Sequence, residues 1–318
     1  RRLGLATLGA LALALLSLTI GVYSLSWSGL TAGQDLHASM VLLASRVPRT
    51  LAIVLVGASM GIAGLIMQML SRNRFVSPST AGTVESASLG ILVVTLVAPG
   101  TPMVGKMLVA TLFALAGTAL FLAILRAVPL RSPLLVPLIG IMLGSVIAST
   151  TTFFAYRYDL LQSLAAWTGG DFSRVLRGRY ELLWLSGALT VVAYLVADRF
   201  TVAGMGEAFT TNLGLNYRRV LVLGLSIVSL VTAVNVVTVG AIPFLGLIVP
   251  NLVSMVIGDN VRRATPWVAI FGAGFLLACD IAGRVIRYPY EIPISTVVGV
   301  VGSACFLVML LRGVGRGR

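Results

Sequence analysis

The chain has 318 residues, of which 58% are hydrophobic and 10% are charged, and it carries a net charge of +13. This composition excludes a soluble globular protein, because charge-free apolar runs of ~18 or more residues are typical of membrane-spanning helices. One histidine and two cysteines are too few for a zinc or haem site, so the sequence predicts no metal and no cofactor.

The apolar runs divide the chain into roughly ten spans, each of ~20 residues. The predicted fold class is therefore all-α, a polytopic membrane protein with about ten transmembrane helices in a single domain over residues 1–318. The first segment has a basic start like a signal peptide, but no clear cleavage site follows, and we interpret it as the first span. The predicted spans are 3–24, 48–70, 82–98, 103–126, 133–155, 180–197, 218–239, 242–258, 265–286 and 292–312.

Glycine and proline positions indicate where these helices are irregular or closely packed. The eighth span, 242–258, contains Pro243 and Gly246 near its start, so we expect a short, broken or partly re-entrant segment there. Gly57 and Gly61 lie one helical turn apart in the second span. Small residues at this spacing allow helices to approach closely, and we interpret the pair as internal packing.

The basic residues predict the orientation of the chain in the membrane. Most of them flank the spans on one side, and because cytoplasmic loops are enriched in Lys and Arg, the N-terminus is predicted to lie inside. The same reasoning accounts for the high positive charge without a nucleic-acid partner. A remaining set of arginines is predicted on the outer side: Arg46, Arg49, Arg157, Arg174, Arg177, Arg179, Arg284 and Arg287.

Glu85 is the one acidic residue predicted at the start of a span. A carboxylate there either marks a transport pathway or stabilises the first helical turn through the helix dipole, and the sequence leaves both open. Residues 100–107 nearly match a phosphate-binding loop, but Met107 replaces the Ser or Thr that holds Mg²⁺, so we attribute the match to chance. No set of catalytic groups converges, and we do not expect an enzyme.

The predicted inner loop, 198–217, is long enough to contain its own structure. Residues 206–213 are predicted to form a short helix that Gly214 ends in a left-handed conformation. Such a loop is either a docking site for a cytoplasmic partner or a plain amphipathic connector, and the loop alone does not distinguish the two.

Several stretches, taken together and in order, resemble the FecCD-type permeases. These are the membrane subunits of type II ABC importers for iron-siderophore, haem and cobalamin uptake. The resemblance extends over nearly the whole chain and is strongest at 240–250. The other stretches that carry it are 45–51, 57 with 64–68, 73 with 78 and 82, 207–215, 262–263, 280–284 and 291–293.

The resemblance implies an assembly of several subunits in the lipid bilayer. Two permease subunits, as a homodimer or a paralogous heterodimer, would surround a central path. Two cytoplasmic ABC ATPase subunits would lie inside, and an extracytoplasmic substrate-binding protein would dock outside. The positions that match the docking residues of the family are Arg46, Arg49 and Arg284, where guanidinium groups suit the binding of partner carboxylates.

The resemblance also implies residues for coupling and gating. The helix in the inner loop would couple the permease to the ATPase through Glu207, Ala208, Leu213, Gly214 and Leu215. The gate candidates that it implies are Asn73, Phe75 and Ser132. Glu85 is the pathway candidate from its own position at the start of a span, and the resemblance does not supply it. The chain departs from the pattern at Arg74, where many relatives have proline, at Asn251, where many have histidine, and at Glu85, where small or amide residues are usual. These departures argue against copying the ligand from any one relative.

The function expected from the resemblance is the permease of an ATP-driven importer for a ferric siderophore in the bacterial inner membrane. Haem or cobalamin permeases of the same family are the alternatives within this class. An ion-coupled secondary transporter is the alternative from another class, and it would require carboxylates in the spans beyond Glu85.

Overall fold

A computed structural model describes residues 2–21, 36–128, 135–258 and 260–315 of the chain. Over these residues the structure is helical, with one isolated β-bridge between Gly169 and Ala241, which confirms the predicted all-α class. The α-helices in chain order are α1 (Arg2–Thr19), α2 (Leu36–Val41), α3 (Val47–Ser71), α4 (Thr83–Val97), α5 (Met103–Ala127), α6 (Leu135–Arg157), α7 (Leu161–Thr168), α8 (Leu183–Leu195), α9 (Ala197–Gly204), α10 (Glu207–Asn212), α11 (Tyr217–Val239), α12 (Leu245–Ile257), α13 (Val261–Val285) and α14 (Ile294–Gly315).

These helices account for about ten crossings of the bilayer. In the described part of the chain, six helices are long and apolar enough to span a membrane, and α8 with α9 meets the same criteria as a pair that is bent by 64°. Three shorter apolar helices, α4, α12 and α14, complete the set. Their shortness explains why a length criterion alone finds fewer spans than the sequence pattern does.

The structure differs from the predicted boundaries at the second and eighth spans. The second begins earlier than residue 48, because α2 continues through a π-helical turn, Leu42–Arg46, directly into α3. Arg46, which we expected to mark a loop, is buried inside this continuous helix. The eighth, α12, is short but unbroken despite Pro250 in its interior.

Helix α3 is the centre of the bundle. Its most apolar stretch is 78% buried inside the chain, whereas that of α1 is only 6% buried. Helices α8, α11, α12 and α13 all pack against α3. An apolar helix that is covered on every side belongs in the interior of the bundle, while α1 lies at its periphery and is little covered by its own chain.

Close helix contacts in this centre depend on glycine. A Cβ atom on Gly64 of α3 would overlap the carbonyl oxygen of Gly246 at the start of α12. The Gln68 side chain, one turn further along α3, donates from Nε2 to the carbonyl oxygens of Gly246 (3.4 Å) and Leu247 (3.2 Å). Gly57 lies against Gly272 of α13 in the same manner, so the predicted internal packing at Gly57 is present.

Candidate functional sites at the two ends of the bundle

A cluster of charged side chains lies at the predicted outer end, where α3 meets α13. Arg49 Nη2 lies 2.7 Å from Asp280 Oδ1, and Arg284 Nη2 pairs with the other oxygen of the same carboxylate. Arg49 Nη1 lies 2.7 Å from Glu291 Oε2 in the connection between α13 and α14. Asp280 is buried and neutralised by two arginines, as a carboxylate in an apolar bundle has to be. We call Arg46, Arg49, Asp280, Arg284 and Glu291 the outer arginine cluster.

Two members of this cluster hold the C-terminal end of α1. Arg284 Nη1 donates to the carbonyl oxygens of Ser17 (3.0 Å) and Ile20 (2.9 Å), and its Nη2 donates to Ser17 Oγ (2.5 Å). Arg46 Nη1 donates to two further carbonyl oxygens near the end of α1, at 2.8 Å and 3.0 Å. The last carbonyl groups of a helix have no partner within the helix, so the two guanidinium groups satisfy acceptors that would otherwise be buried without one.

The structure therefore brings the three predicted docking arginines to one place, but it buries them. Arg46 is 7% exposed, Arg284 is 5% exposed, and the side chain of Arg49 is 13% exposed. All three bind groups of their own chain in this structure. Their docking role stays a prediction, and their present contacts stabilise the outer end of the bundle.

Sequence reasoning missed the acidic half of this cluster. Asp280 and Glu291 belong to stretches that carried the family resemblance, but neither was assigned a role. The spacing of Asp280 and Arg284 was the available signal, because residues four apart on a helix face each other and form ion pairs. The exposed arginines at the outer end are Arg157, Arg174, Arg177, Arg179 and Arg287.

The predicted inner loop contains the expected short helix. Helix α10 runs from Glu207 to Asn212, between Gly206 (φ 112°) and Gly214 (φ 77°). Both glycines have positive φ, a conformation that costs a residue with a side chain strain energy. The buried Thr210 hydroxyl donates to the Gly206 carbonyl oxygen (2.7 Å), which fixes the helix start. The predicted helix and its left-handed end are confirmed.

Helix α10 presents an unusual amount of apolar surface to solvent. Leu213 is 57% exposed and Phe209 is 47% exposed, although both are large apolar side chains. Of the predicted coupling residues, Leu215 is half-buried, and the exposed ones are Glu207, Ala208, Leu213 and Gly214. Exposed apolar side chains on an ordered loop are a common feature of protein interaction sites.

The turn after α3 carries two of the predicted gate residues. Asn73 is buried, and its Oδ1 accepts a hydrogen bond from the backbone N–H of Phe75 (2.9 Å). Asn251 Nδ2 on α12 donates to the carbonyl oxygen of Arg74 (2.8 Å), so the turn is fastened to the neighbouring helix. Phe75 is half exposed and packs edge-to-face on Phe306 of α14, with ring centroids 6.0 Å apart.

The two other gate and pathway candidates are placed differently. Glu85 lies in the first turn of α4, and its carboxyl group faces Gly144 of α6, where an added Cβ would be 3.3 Å from Glu85 Cδ. Its Oε2 is buried and has no hydrogen-bond partner among the described residues. Its role as a pathway residue stays a prediction, and Ser132 lies outside the described residues.

Comparison with known proteins identifies the family. The model of a family described as the FecCD transport family matches residues 9–312, almost the entire chain. The chain belongs to the FecCD transport family. With its apolar helices, this membership makes the chain a multi-pass protein of the inner membrane.

Individual members of the FecCD family match at similar length. The petrobactin import system permease protein YclN of Bacillus subtilis (strain 168) is 52% identical over 300 residues, covering 94% of this chain and 95% of the relative. The ferric-anguibactin transport system permease protein FatD of Vibrio anguillarum is 42% identical over 297 residues, covering 93% of this chain and 94% of the relative.

A solved transporter structure has the same fold as this chain. A metal-chelate type ABC transporter in an inward-facing conformation matches with a TM-score of 0.86 and 25% sequence identity, covering 98% of each chain. A match over both whole chains shows that the order and packing of the helices are shared.

Proposed function

We propose that the chain is the membrane permease subunit of an ATP-driven importer and translocates a ferric siderophore. The observation that carries the proposal is the 52% identity with a petrobactin import permease along 94% of this chain. The 42% identity with a ferric-anguibactin permease extends the substrate class from one compound to ferric siderophores. Such a subunit needs no catalytic residues of its own, because ATP is hydrolysed in separate subunits.

Residues 1–318 act as one transmembrane permease domain in this proposal. Helix α3, near the start of the chain, packs against α11, α12 and α13 from its second half, so neither half has a separate core. A second permease subunit, identical or paralogous, completes the central path. Rocking of the two subunits against each other opens that path alternately to the two sides.

The inner loop is the contact with the cytoplasmic ATPase subunits. Support comes from the exposed Phe209 and Leu213 and from the two positive-φ glycines that fix α10 in a defined conformation. A coupling element has to be both rigid and exposed, since it transmits movement from one protein to another. Glu207, Ala208, Leu213, Gly214 and Leu215 form its contact surface.

The outer arginine cluster is the contact with the extracytoplasmic binding protein, and Arg49 is its exchangeable member. Asp280 and Arg284 are closed off from solvent, whereas the Glu291 side chain is 31% exposed. A carboxylate of the binding protein can therefore replace Glu291 on Arg49 without exposing the buried pair. Arg46 and Arg284 support the site from behind by holding α1.

The inner gate includes Asn73 and Phe75, together with Glu85 and Ser132 along the pathway. Support comes from the half-exposed ring of Phe75, whose contact on Phe306 joins the turn after α3 to α14. A movement of α14 relative to α3 would separate the two rings and open an apolar constriction.

The ion-coupled alternative is disfavoured by the carboxylates in the spans. Among the described residues of the apolar helices, Asp280 is paired with two arginines and Asp198 with Arg262, which leaves Glu85 as the carboxylate without an ion pair. One carboxylate does not form a proton or sodium relay. Haem and cobalamin remain alternatives as substrates.

Uptake of radioactive iron tests the proposal. A strain that lacks this permease should recover uptake of a ferric siderophore, but not of haem or cobalamin, when the chain is supplied. Uptake should stop when ATP is depleted and continue when the ion gradients are collapsed. Accumulation of ferric siderophore in liposomes that contain this chain and no ATPase subunit would contradict the proposal.

A further inference from the structure

A cavity of about 160 Å³ lies at the outer end, apart from the outer arginine cluster and sharing no residue with it. It lies between α4, α5, the end of α11 and the end of α7 with the segment that follows it. Backbone hydrogen bonds fasten this segment to α11: Asp171 N–H donates to Val239 O, and Ala241 N–H donates to Thr168 O, both at 2.9 Å. The cavity therefore has fixed walls and is named here the outer cavity.

The rim of the outer cavity is positively charged. Lys106, Arg174 and Arg179 line it, and none of them forms an ion pair within the described part of the chain. Asp171 also lines it, but its two oxygens accept hydrogen bonds from the backbone N–H (2.8 Å) and the hydroxyl (2.5 Å) of Ser173. The lining therefore holds three cationic side chains and one carboxylate, and this excess of positive charge favours a bound anion.

One of these cations is already held in position. Arg174 Nη1 donates to the carbonyl oxygen of Ala166 in α7 at 2.6 Å, which leaves its other N–H donors available. Guanidinium groups bind carboxylate and phenolate oxygens through short, charge-assisted hydrogen bonds. A pre-positioned arginine loses less side-chain entropy when it binds such a group.

The interior of the outer cavity is apolar and suits an aromatic ring. Trp167 lines the space with Met107 and Val237, and the last two are 6% and 7% exposed. An apolar protein cavity of ~150 Å³ is large enough to bind benzene. An inorganic anion would leave the apolar wall without a partner, and a neutral ring would leave the cations without one.

We propose that the outer cavity binds a small aromatic anion, a single ring that carries a carboxylate or phenolate. The ring lies against Trp167 and the apolar floor, and the charged oxygens pair with Lys106, Arg174 and Arg179. The ligand is either a free aromatic acid or one aromatic arm of a larger chelate, since drug-sized ligands occupy pockets of ~300 Å³ or more. The site is inferred from its lining residues alone and does not rest on the proposed function.

Binding to the purified full-length chain, in a neutral detergent, tests the site. The probes for calorimetric titration are 2,3-dihydroxybenzoate, a methyl ester whose two phenol oxygens are also methylated so that it cannot ionise, and glycerol phosphate. Lys106→Met should weaken binding of the acid by about tenfold or more, since it removes a charged partner. Arg157→Gln, which changes an exposed arginine outside the cavity, is the matched control and should leave binding unchanged.

A second measurement needs no variant. Lys106 is the single lysine of the chain, so its modification by an amine-reactive reagent can be followed by mass spectrometry. The acid should slow this modification, and the methyl ester should not. The ferric complex of the acid is a further probe: tighter binding of the complex identifies a chelate arm as the ligand, and tighter binding of the free acid identifies the free molecule.

Three outcomes would overturn the proposal. They are the absence of binding by the wild-type chain, equal binding of the acid and its ester, and displacement of the acid by an equal concentration of glycerol phosphate. The last would assign the cations to a lipid headgroup. These measurements involve no ATPase subunit and no uptake. A negative binding result would therefore not contradict the proposed transport function, and a negative uptake result would not contradict the proposed binding site.

Discussion

The ion pairs at the two ends of the bundle differ in their exposure to solvent. At the outer end, the Asp280 side chain is 1% exposed and lies between the buried Arg284 and the partly buried Arg49. At the inner end, the side chains of Asp198 and Arg262 also pair, but they are 58% and 57% exposed. The first pair is part of the interior of the protein, and the second lies on its surface.

This difference in exposure separates charged side chains that the fold requires from charged side chains that are available to bind another protein. A buried ion pair is maintained only when every charge has its counterpart, so the loss of one member destabilises the protein strongly. An exposed pair contributes little, because water and salt screen it. Substitution of a buried charge such as Asp280 should therefore affect folding, whereas substitution of an exposed charge such as Asp198 should leave the fold intact.

The largest effect is expected from Asp280→Asn. The substitution leaves Arg49 and Arg284 as buried cations without their shared carboxylate, and it should lower the free energy of unfolding by about 3–5 kcal/mol. The measurement is the thermal unfolding midpoint of the purified protein in detergent. Asp198→Asn, at the exposed pair, is the control, and equal midpoints for the two variants would contradict the distinction between the ends.

The next effect is expected from Gly214→Val at the end of α10. A β-branched residue at φ 77° is strained by roughly 1–2 kcal/mol, so the loop should lose its fixed shape while the bundle remains folded. Co-purification with the ATPase subunits and iron uptake should both decrease. Gly214→Asn is the matched control, since asparagine tolerates the left-handed conformation, and it should retain most of both activities. Equal losses in the two variants would argue against a conformational cause.

A smaller effect on stability is expected from Glu291→Gln. Because this carboxylate is partly exposed, its loss should change the free energy of unfolding by less than about 1 kcal/mol. Docking of the binding protein should become tighter, since Arg49 loses its competing intramolecular partner. Surface plasmon resonance at two salt concentrations measures this, and weaker docking of the variant would contradict the proposed exchange at Arg49.

The smallest effect is expected from Arg262→Gln. Its pair with Asp198 is exposed and screened by solvent, so the thermal midpoint should remain that of the wild-type chain at low and at high salt. A loss of the size expected for Asp280→Asn would show that exposure does not determine which charges the fold requires.

Most of the fold follows from sequence because the bilayer imposes simple rules on local composition. The spans that became α5, α11 and α13 are visible as apolar runs with charged flanks. The short helix α10 was also predictable, because Gly214 is a local signal for a helix end. In each case the physical cause lies within a few residues of its effect.

The sites were harder to predict because their contacts join distant parts of the chain. The sequence places Arg46 and Arg284 near the ends of spans, but only the folded bundle shows that both bind the end of α1. The outer cavity is likewise formed by segments far apart in sequence, and Lys106 carried no local signal for it. Charge rules for membrane boundaries predict on which side of the membrane an arginine or lysine lies. They do not predict whether its side chain is buried.

The contact of Gly64 with Gly246 has a mechanical consequence. Where two helices touch backbone to backbone, no flexible side chain lies between them to adjust when one is displaced. Helices α3 and α12 therefore form one rigid unit, and the hydrogen bonds from Gln68 also hold them together. We therefore expect α3 and α12 to keep their mutual position when the subunit changes conformation, while neighbouring helices move relative to them.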